Sequence, residues 1–150
     1  GAPGLPFVTG VLGVGGDSSG DNAEAFRKAM AAPAEMEEFK GTVSNVFTHK
    51  YWPVELDEVR ARITEATAEF EAKGRELKAR SKKGEDLRKE IAELTAAKNA
   101  KIDQTLNDDE KFLIEKGISN QGFHYHGSAK FFAQIGKAFA EAAIEMNKKR

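Results

Sequence analysis

His124 and His126 flank Tyr125 in the segment ISNQGFHYHG, residues 118–127, directly ahead of a strongly amphipathic run that closes the sequence. An imidazole takes up and releases a proton near neutral pH. A loop at a helix entrance can hold such a ring at the rim of a sheet, where it serves as base on a neighbouring hydroxyl. Two histidines one residue apart also suit a metal, but no third ligand cluster accompanies them, so no metal site is expected. On spacing alone, two rings that merely hydrogen-bond the loop together are the plainer explanation.

Two other stretches invite chemistry. Gly16-Asp17-Ser18 follows an apolar run, a place where a nucleophilic serine would need a histidine base and backbone or asparagine donors for the oxyanion. Its surroundings, GGDSSGDN, have the composition of any solvent loop, and Ser18 is read as a loop residue. The glycine-rich GVLGVGG, residues 10–16, resembles a phosphate cradle at first sight. No Gly-Lys-Ser/Thr follows it, and no acidic residue ends a second strand at the required place roughly twenty residues on. A tight strand exit that needs glycine is the better account, and no cofactor is expected.

Composition narrows the classes. Of 150 residues, 40% are hydrophobic and 31% charged, with 23 basic against 24 acidic side chains. That balance argues against a general nucleic-acid or anionic-membrane binder, which gathers phosphates with a net positive field. No apolar run approaches the roughly 18–20 residues that span a bilayer, and no signal-peptide pattern opens the chain. The absence of cysteine excludes disulfides, thiolate metal sites and cysteine nucleophiles, and leaves the compartment open. The opening Gly1-Ala2-Pro3-Gly4, with no initiator methionine, reads as a tag remnant or as a cut from a longer chain.

These residues need elements to position them. LPFVTGVLGV (5–14) reads as a strand buried on both faces, and TVSNVFT (42–48) as a second strand. Between them a helix over about 23–32, capped by Asp21 or Asn22 and ended at Pro33, completes a βαβ unit of the kind that builds parallel sheets. From 54 to about 101 the chain is dense in charge. Leu56, Ile63, Phe70 and Leu77 recur every seven positions with Val59 and Ala66 between them, a coiled-coil-like seam weakened at Lys73 and Arg80. Ser81-Lys82-Lys83-Gly84 breaks it, and Leu87, Ile91, Leu94 and Ile102 mark a second helix, giving an antiparallel hairpin. A short helix follows over 108–116 and stops at Gly117. Ser128 then caps a terminal helix with Phe131, Phe132, Ile135, Phe139, Ala142, Ala143 and Met146 on one face.

The segment NQGFHYHGSAKFFAQIGKAFAEA, 120–142, resembles the C-terminal end of the sialate O-acetylesterase domain, a branch of the SGNH (GDSL-like) hydrolases, as found in bacterial carbohydrate esterases. FVTGVLGVGG (7–16) and FRKAMAAPAEMEEFKGTV (26–43) are similar to the preceding strand, helix and strand. EKFLIEKGISNQGFHYHG carries the likeness into the terminal motif, while the charged hairpin matches only as a variable insertion. The resemblance implies a flavodoxin-like three-layer fold that removes acetyl or similar groups from sugars. In it a serine attacks the ester, a histidine near the C-terminal end is the base, and amide, glycine and asparagine donors hold the oxyanion. His124 falls on that histidine, with His126 the less favoured substitute. The family's Gly-Gln-Ser-Asn motif and its later glycine and asparagine block have no counterpart, and Ser18 is not at the matching place. Where an aspartate commonly orients the ring, three residues earlier, stands Gln121. An amide can hold a tautomer but cannot stabilise the imidazolium by charge. Relatives are often exported.

The expected fold is therefore α/β: part of a flavodoxin-like (SGNH hydrolase) three-layer parallel sheet with an inserted antiparallel helical hairpin. Its expected divisions are the βαβ portion at 1–53, the hairpin at 54–106, and the histidine loop with the terminal helix at 107–150. The expected function is that of a fragment of a serine carbohydrate esterase acting on acetylated carbohydrate. His124 is its general base, its nucleophile lies outside this chain, and these 150 residues alone are inactive. The competing expectation is a non-catalytic module whose charged hairpin binds a partner protein. It is favoured by the length of charged helix and the missing nucleophile motif. No nucleic acid or membrane partner is expected.

Overall fold

The structure is a computed structural model that describes residues 4–79 and 84–148. The chain divides into two compact units, one made from 1–53 and 117–150 and the other from Val54–Lys116.

In the first unit, β1 (Phe7–Val11) and β2 (Val43–Phe47) pair in parallel, Phe7 opposite Val43 and Val11 opposite Phe47. Helix α1 (Asp21–Ala31) connects them and packs on β1, while the terminal helix, labelled α5 once those of the second unit are counted (Ala129–Lys148), packs on both strands. Side chains alternate along a strand, and the contacts show which face each helix covers. A Cβ on Gly10 would lie 2.8 Å from the Phe139 ring, so Gly10 and its register partner Val46 face α5. Asn45 donates through Nδ2 to the Ala31 carbonyl at 2.8 Å, so Asn45 and its partner Thr9 face α1. That bond satisfies a carbonyl the helix end leaves open.

Helix α1 starts directly after Gly20 with no side-chain cap, so neither Asp21 nor Asn22 caps it; Asp21 lies in the first turn, facing the positive end of the dipole. It gives way to the 3-10 turn Ala32–Glu35, which contains Pro33. Ser128 does cap α5, its Oγ accepting from the Phe131 N–H at 3.4 Å. Phe131 and Met146 are buried on that helix, and Phe132 and Ile144 remain exposed.

The expected three-layer parallel sheet is not the fold. The described residues are mostly helical and contain two parallel strands, a helical class with a small β ribbon. The physical reason lies in the supply of strand-forming sequence: beyond 5–14 and 42–48 no run is both β-branched and free of helical spacing. The apolar face of α5 would suit a broad sheet. It is served by two strands approached closely at Gly10, with part of the face left in solvent. β1 is likewise not buried on both faces, since Phe7 is exposed and Val11 alone on it is fully buried.

The second unit holds α2 (Val54–Ala79), α3 (Glu85–Thr105) and α4 (Asp108–Lys116). Along the seam Leu56, Val59 and Leu77 are buried, Ile63, Ala66 and Phe70 half-buried, and Lys73 exposed. Arg80 and the break at Ser81-Lys82-Lys83 lie outside the described residues. Glu71 pairs with Lys98, and Gly74 lies against Leu94, so α3 descends as α2 ascends and the two run antiparallel. α4 opens with a reciprocal cap: Asn107 Oδ1 accepts from the Glu110 N–H at 2.9 Å, and Glu110 accepts from the Asn107 N–H at 3.0 Å. Arg62 of α2 joins Glu110, and Lys111 meets Asp103 at 2.7 Å.

These pairs shift the titration of three of their members. The Lys98 hydrogen bond holds the Glu71 carboxyl below the usual glutamate value, and the Asn107 N–H does the same for Glu110. Asp103 holds the Lys111 ammonium above its usual value. No helix among the described residues is long and apolar enough to cross a membrane.

Candidate functional site

Parallel strands gather functional loops at their carboxyl ends, and here three segments meet there: the exit of β1, the turn after β2, and the histidine loop. The exit of β1 is shaped by glycine. A Cβ on Gly13 would stand 2.3 Å from the His49 backbone nitrogen and 2.4 Å from the Thr48 carbonyl carbon, so only glycine lets the two backbones lie this close. A Cβ on Gly16, whose φ is 57°, would press on the Trp52 ring at 3.0 Å. The glycine run is thus a device for packing. Arg27 of α1 fixes the same loop, donating to the carbonyls of Leu12 at 2.8 Å, Val14 at 3.3 Å and Gly16 at 2.8 Å. Groups turned toward a guanidinium in this way are acceptors, the opposite of the N–H donors a phosphate cradle needs.

The turn after β2, Thr48–Tyr51, brings the third histidine. Thr48 is buried and donates through Oγ1 to the Val11 carbonyl at 2.8 Å. His49 sits edge-on to Phe47, with its Nε2 3.6 Å from Asp17 Oδ1 and its Nδ1 buried without a hydrogen bond. A cavity of about 540 Å³ opens beside it, walled by Asp17, Arg27, Phe47 and His49. Nothing in the spacing singled out His49. The signal that was available is its place just past the carboxyl end of a strand. Ser18 closes the 3-10 turn Gly16–Ser18, and its side chain lies outside what the structure describes.

The histidine loop sorts its rings sharply. His124 is exposed, while His126 is 1% exposed with its ring 5.0 Å from that of Trp52. The sorting comes from the backbone. Tyr125 has φ 52° and His126 φ 57°, both left-handed, at a cost of about 1–2 kcal/mol per residue. Hydrogen bonds offset it: the His126 carbonyl accepts from the N–H groups of Ser119 and Asn120, both at 2.9 Å, and the His126 N–H donates to the Gln121 carbonyl at 3.0 Å. Tyr125 stacks on Phe131 with centroids 4.5 Å apart, and its hydroxyl accepts from the Gly13 N–H at 3.1 Å.

Asn120 decides the state of His124. Its Oδ1 accepts from the Gln121 backbone N–H at 2.8 Å and lies 3.0 Å from His124 Nδ1. A backbone amide can only donate, so the atom it meets is the oxygen of the side-chain amide. An oxygen with no proton requires that Nδ1 be the donor. The neutral ring therefore carries its proton on Nδ1 and leaves Nε2 bare. Gln121, at the position where an orienting aspartate was sought, contributes only its backbone, accepting from the His124 N–H at 3.0 Å. The orienting group is Asn120, four residues before the ring, which sequence spacing did not reveal. Phe123 is exposed and edge-on to His124, with centroids 4.4 Å apart.

Among the described residues no three His, Cys, Asp or Glu side chains converge as metal ligands. Comparison with known protein families, with curated proteins and with solved structures gave no match for this chain.

Proposed function

We propose that His124 is the general base of a serine esterase that removes acetyl or similar groups from carbohydrate, with the nucleophilic serine supplied from outside this sequence. The resemblance of 120–142 to the terminal motif of sialate O-acetylesterases supplies the class. The single observation that carries the base is the 3.0 Å approach of Asn120 Oδ1 to His124 Nδ1 on an exposed ring, which assigns the neutral ring's proton to Nδ1 and leaves Nε2 bare. A base of this kind takes the serine proton as the serine oxygen bonds to the ester carbonyl. It returns that proton to the departing sugar oxygen, then activates water on the acyl-enzyme. Asn120 fixes the ring and adds no negative charge to steady the imidazolium, so the dyad is weaker than one with a carboxylate. Among the described residues the His124 ring makes no other hydrogen bond, which leaves Nε2 open to a hydroxyl from another segment.

The test is hydrolysis of 4-nitrophenyl acetate and of an acetylated methyl glycoside by the longest natural polypeptide that contains this sequence. His124→Ala is expected to lower kcat at least about 10³-fold, and Asn120→Ala by about tenfold, in keeping with the usual worth of a general base and of its orientation. The 150 residues alone should act no faster than free imidazole. Full activity in His124→Ala would contradict the proposal, and turnover by the 150 residues that is abolished in Ser18→Ala would place the nucleophile inside this chain instead.

A further inference from the structure

Resting on the assignment of His124 as base, we infer that Arg27 and Tyr125 are positioning residues that act on His124 through the exit loop of β1. The connection is continuous. Arg27, rooted in α1, binds the carbonyls of Leu12, Val14 and Gly16 and so holds the Gly13 peptide between them. The Gly13 N–H donates to the Tyr125 hydroxyl at 3.1 Å, a bond between residues 112 positions apart. Tyr125 follows His124 directly and holds a left-handed backbone that tyrosine rarely adopts. A strained residue persists only where its surroundings over-determine it, and the side-chain anchors here include the Phe131 stack, edge-on contacts with Trp52 and Phe132, and the Gly13 bond.

The geometry gives each anchor its own task. The Phe131 stack keeps the Tyr125 ring in the interior, whereas the hydroxyl ties the ring's far end to the strand exit. Releasing the hydroxyl removes one restraint on the left-handed dihedrals of Tyr125 and His126. That disturbs the bond from Asn120 to His124 Nδ1, because the Asn120 N–H donates to the His126 carbonyl and so ties Asn120 to this turn. Arg27 enters because Gly13 is a useful anchor only while its neighbouring carbonyls are fixed. Three donor bonds from one guanidinium suit its planar fork, which a lysine ammonium cannot reproduce.

The experiment follows the imidazole nitrogens of His124 by ¹⁵N NMR in the 150-residue chain, with amide exchange of Gly13 as a second readout. In the wild-type chain the proton is expected on Nδ1 and the Gly13 amide protected. In Tyr125→Phe, which keeps the stack on Phe131, Gly13 exchange should rise about fivefold or more, and the Nδ1–H population should fall in favour of Nε2–H. Arg27→Lys should shift both in the same direction. A purely structural role would lower stability and leave the tautomer ratio unmoved. That result in a folded Tyr125→Phe, or a Gly13 amide unprotected in the wild-type chain, overturns the inference while leaving the base intact. A wild-type ring protonated on Nε2 overturns the base assignment and this inference with it. Should Arg27→Lys fail to fold, Tyr125→Phe and the wild-type exchange of Gly13 decide the matter.

Discussion

Replacing Gly13 by alanine places a methyl carbon 2.3 Å from the His49 nitrogen, 2.4 Å from the Thr48 carbonyl carbon and 2.4 Å from Thr48 Oγ1. Two of these atoms are backbone and cannot swing aside, so the two segments must part. Overpacking of this kind costs about 1–3 kcal/mol. Parting them also strips the buried Thr48 bond to the Val11 carbonyl and the Gly13 bond to Tyr125, each worth about 1 kcal/mol net. The expected loss is about 3–5 kcal/mol, measured by urea unfolding with the slope unchanged. Gly136 provides the opposite sign within the same unit: it lies inside α5 with nothing within 4 Å of an added Cβ. Gly136→Ala should therefore gain up to about 1 kcal/mol of helix propensity. A Gly13→Ala variant within about 0.5 kcal/mol of wild type would refute the claim that glycine serves close backbone approach at this exit.

Stability also separates the two loop histidines: His126→Ala, which empties a buried site beside Trp52, should cost about 2–4 kcal/mol, and exposed His124→Ala less than about 0.5 kcal/mol. Equal losses in urea unfolding would show that the loop does not sort its rings as described. In the helical unit, Glu71 and Glu110 hold folded-state pKa values below the ordinary 4.5, so the stability they add is present above that value and is lost as pH falls through the lower folded values. Lys111 has the reverse sign, its contribution being present below 10.5 and lost as pH rises through its raised folded value. Circular dichroism of Glu110→Gln should show a flatter acid limb than wild type, and an identical limb would mean that the Asn107 cap and Arg62 contribute nothing measurable.

What the sequence revealed was local. β-branched runs at 5–14 and 42–48 located both strands, heptad spacing located α2, and Ser128 announced the cap of α5, because each signal is carried by neighbouring residues. Sheet width was not legible in this way. An apolar face like that of α5 suggests more strands, whereas Phe139 settles onto Gly10, a contact that joins residues far apart in the chain. The Asn107–Glu110 cap is local too, but Glu110 stands beside Asp108 and Asp109 and its spacing from Asn107 did not single it out. At the proposed site, His124 was singled out by its motif. Asn120 was not, because its role depends on left-handed dihedrals at Tyr125 and His126 that no propensity predicts. His49 and Arg27 were hidden for a related reason: their partners, Asp17 and the carbonyls of the β1 exit, are brought to them only by the folded βαβ unit.

The most direct test of the base is the ¹⁵N imidazole spectrum of His124 in the wild-type chain beside that of Asn120→Ala. If Asn120 holds the ring, the wild-type spectrum shows a protonated Nδ1 and a bare Nε2, and removing the Asn120 oxygen returns the ring to the Nε2–H form of a free imidazole. The same spectrum from both proteins, with Nε2 protonated, would contradict it.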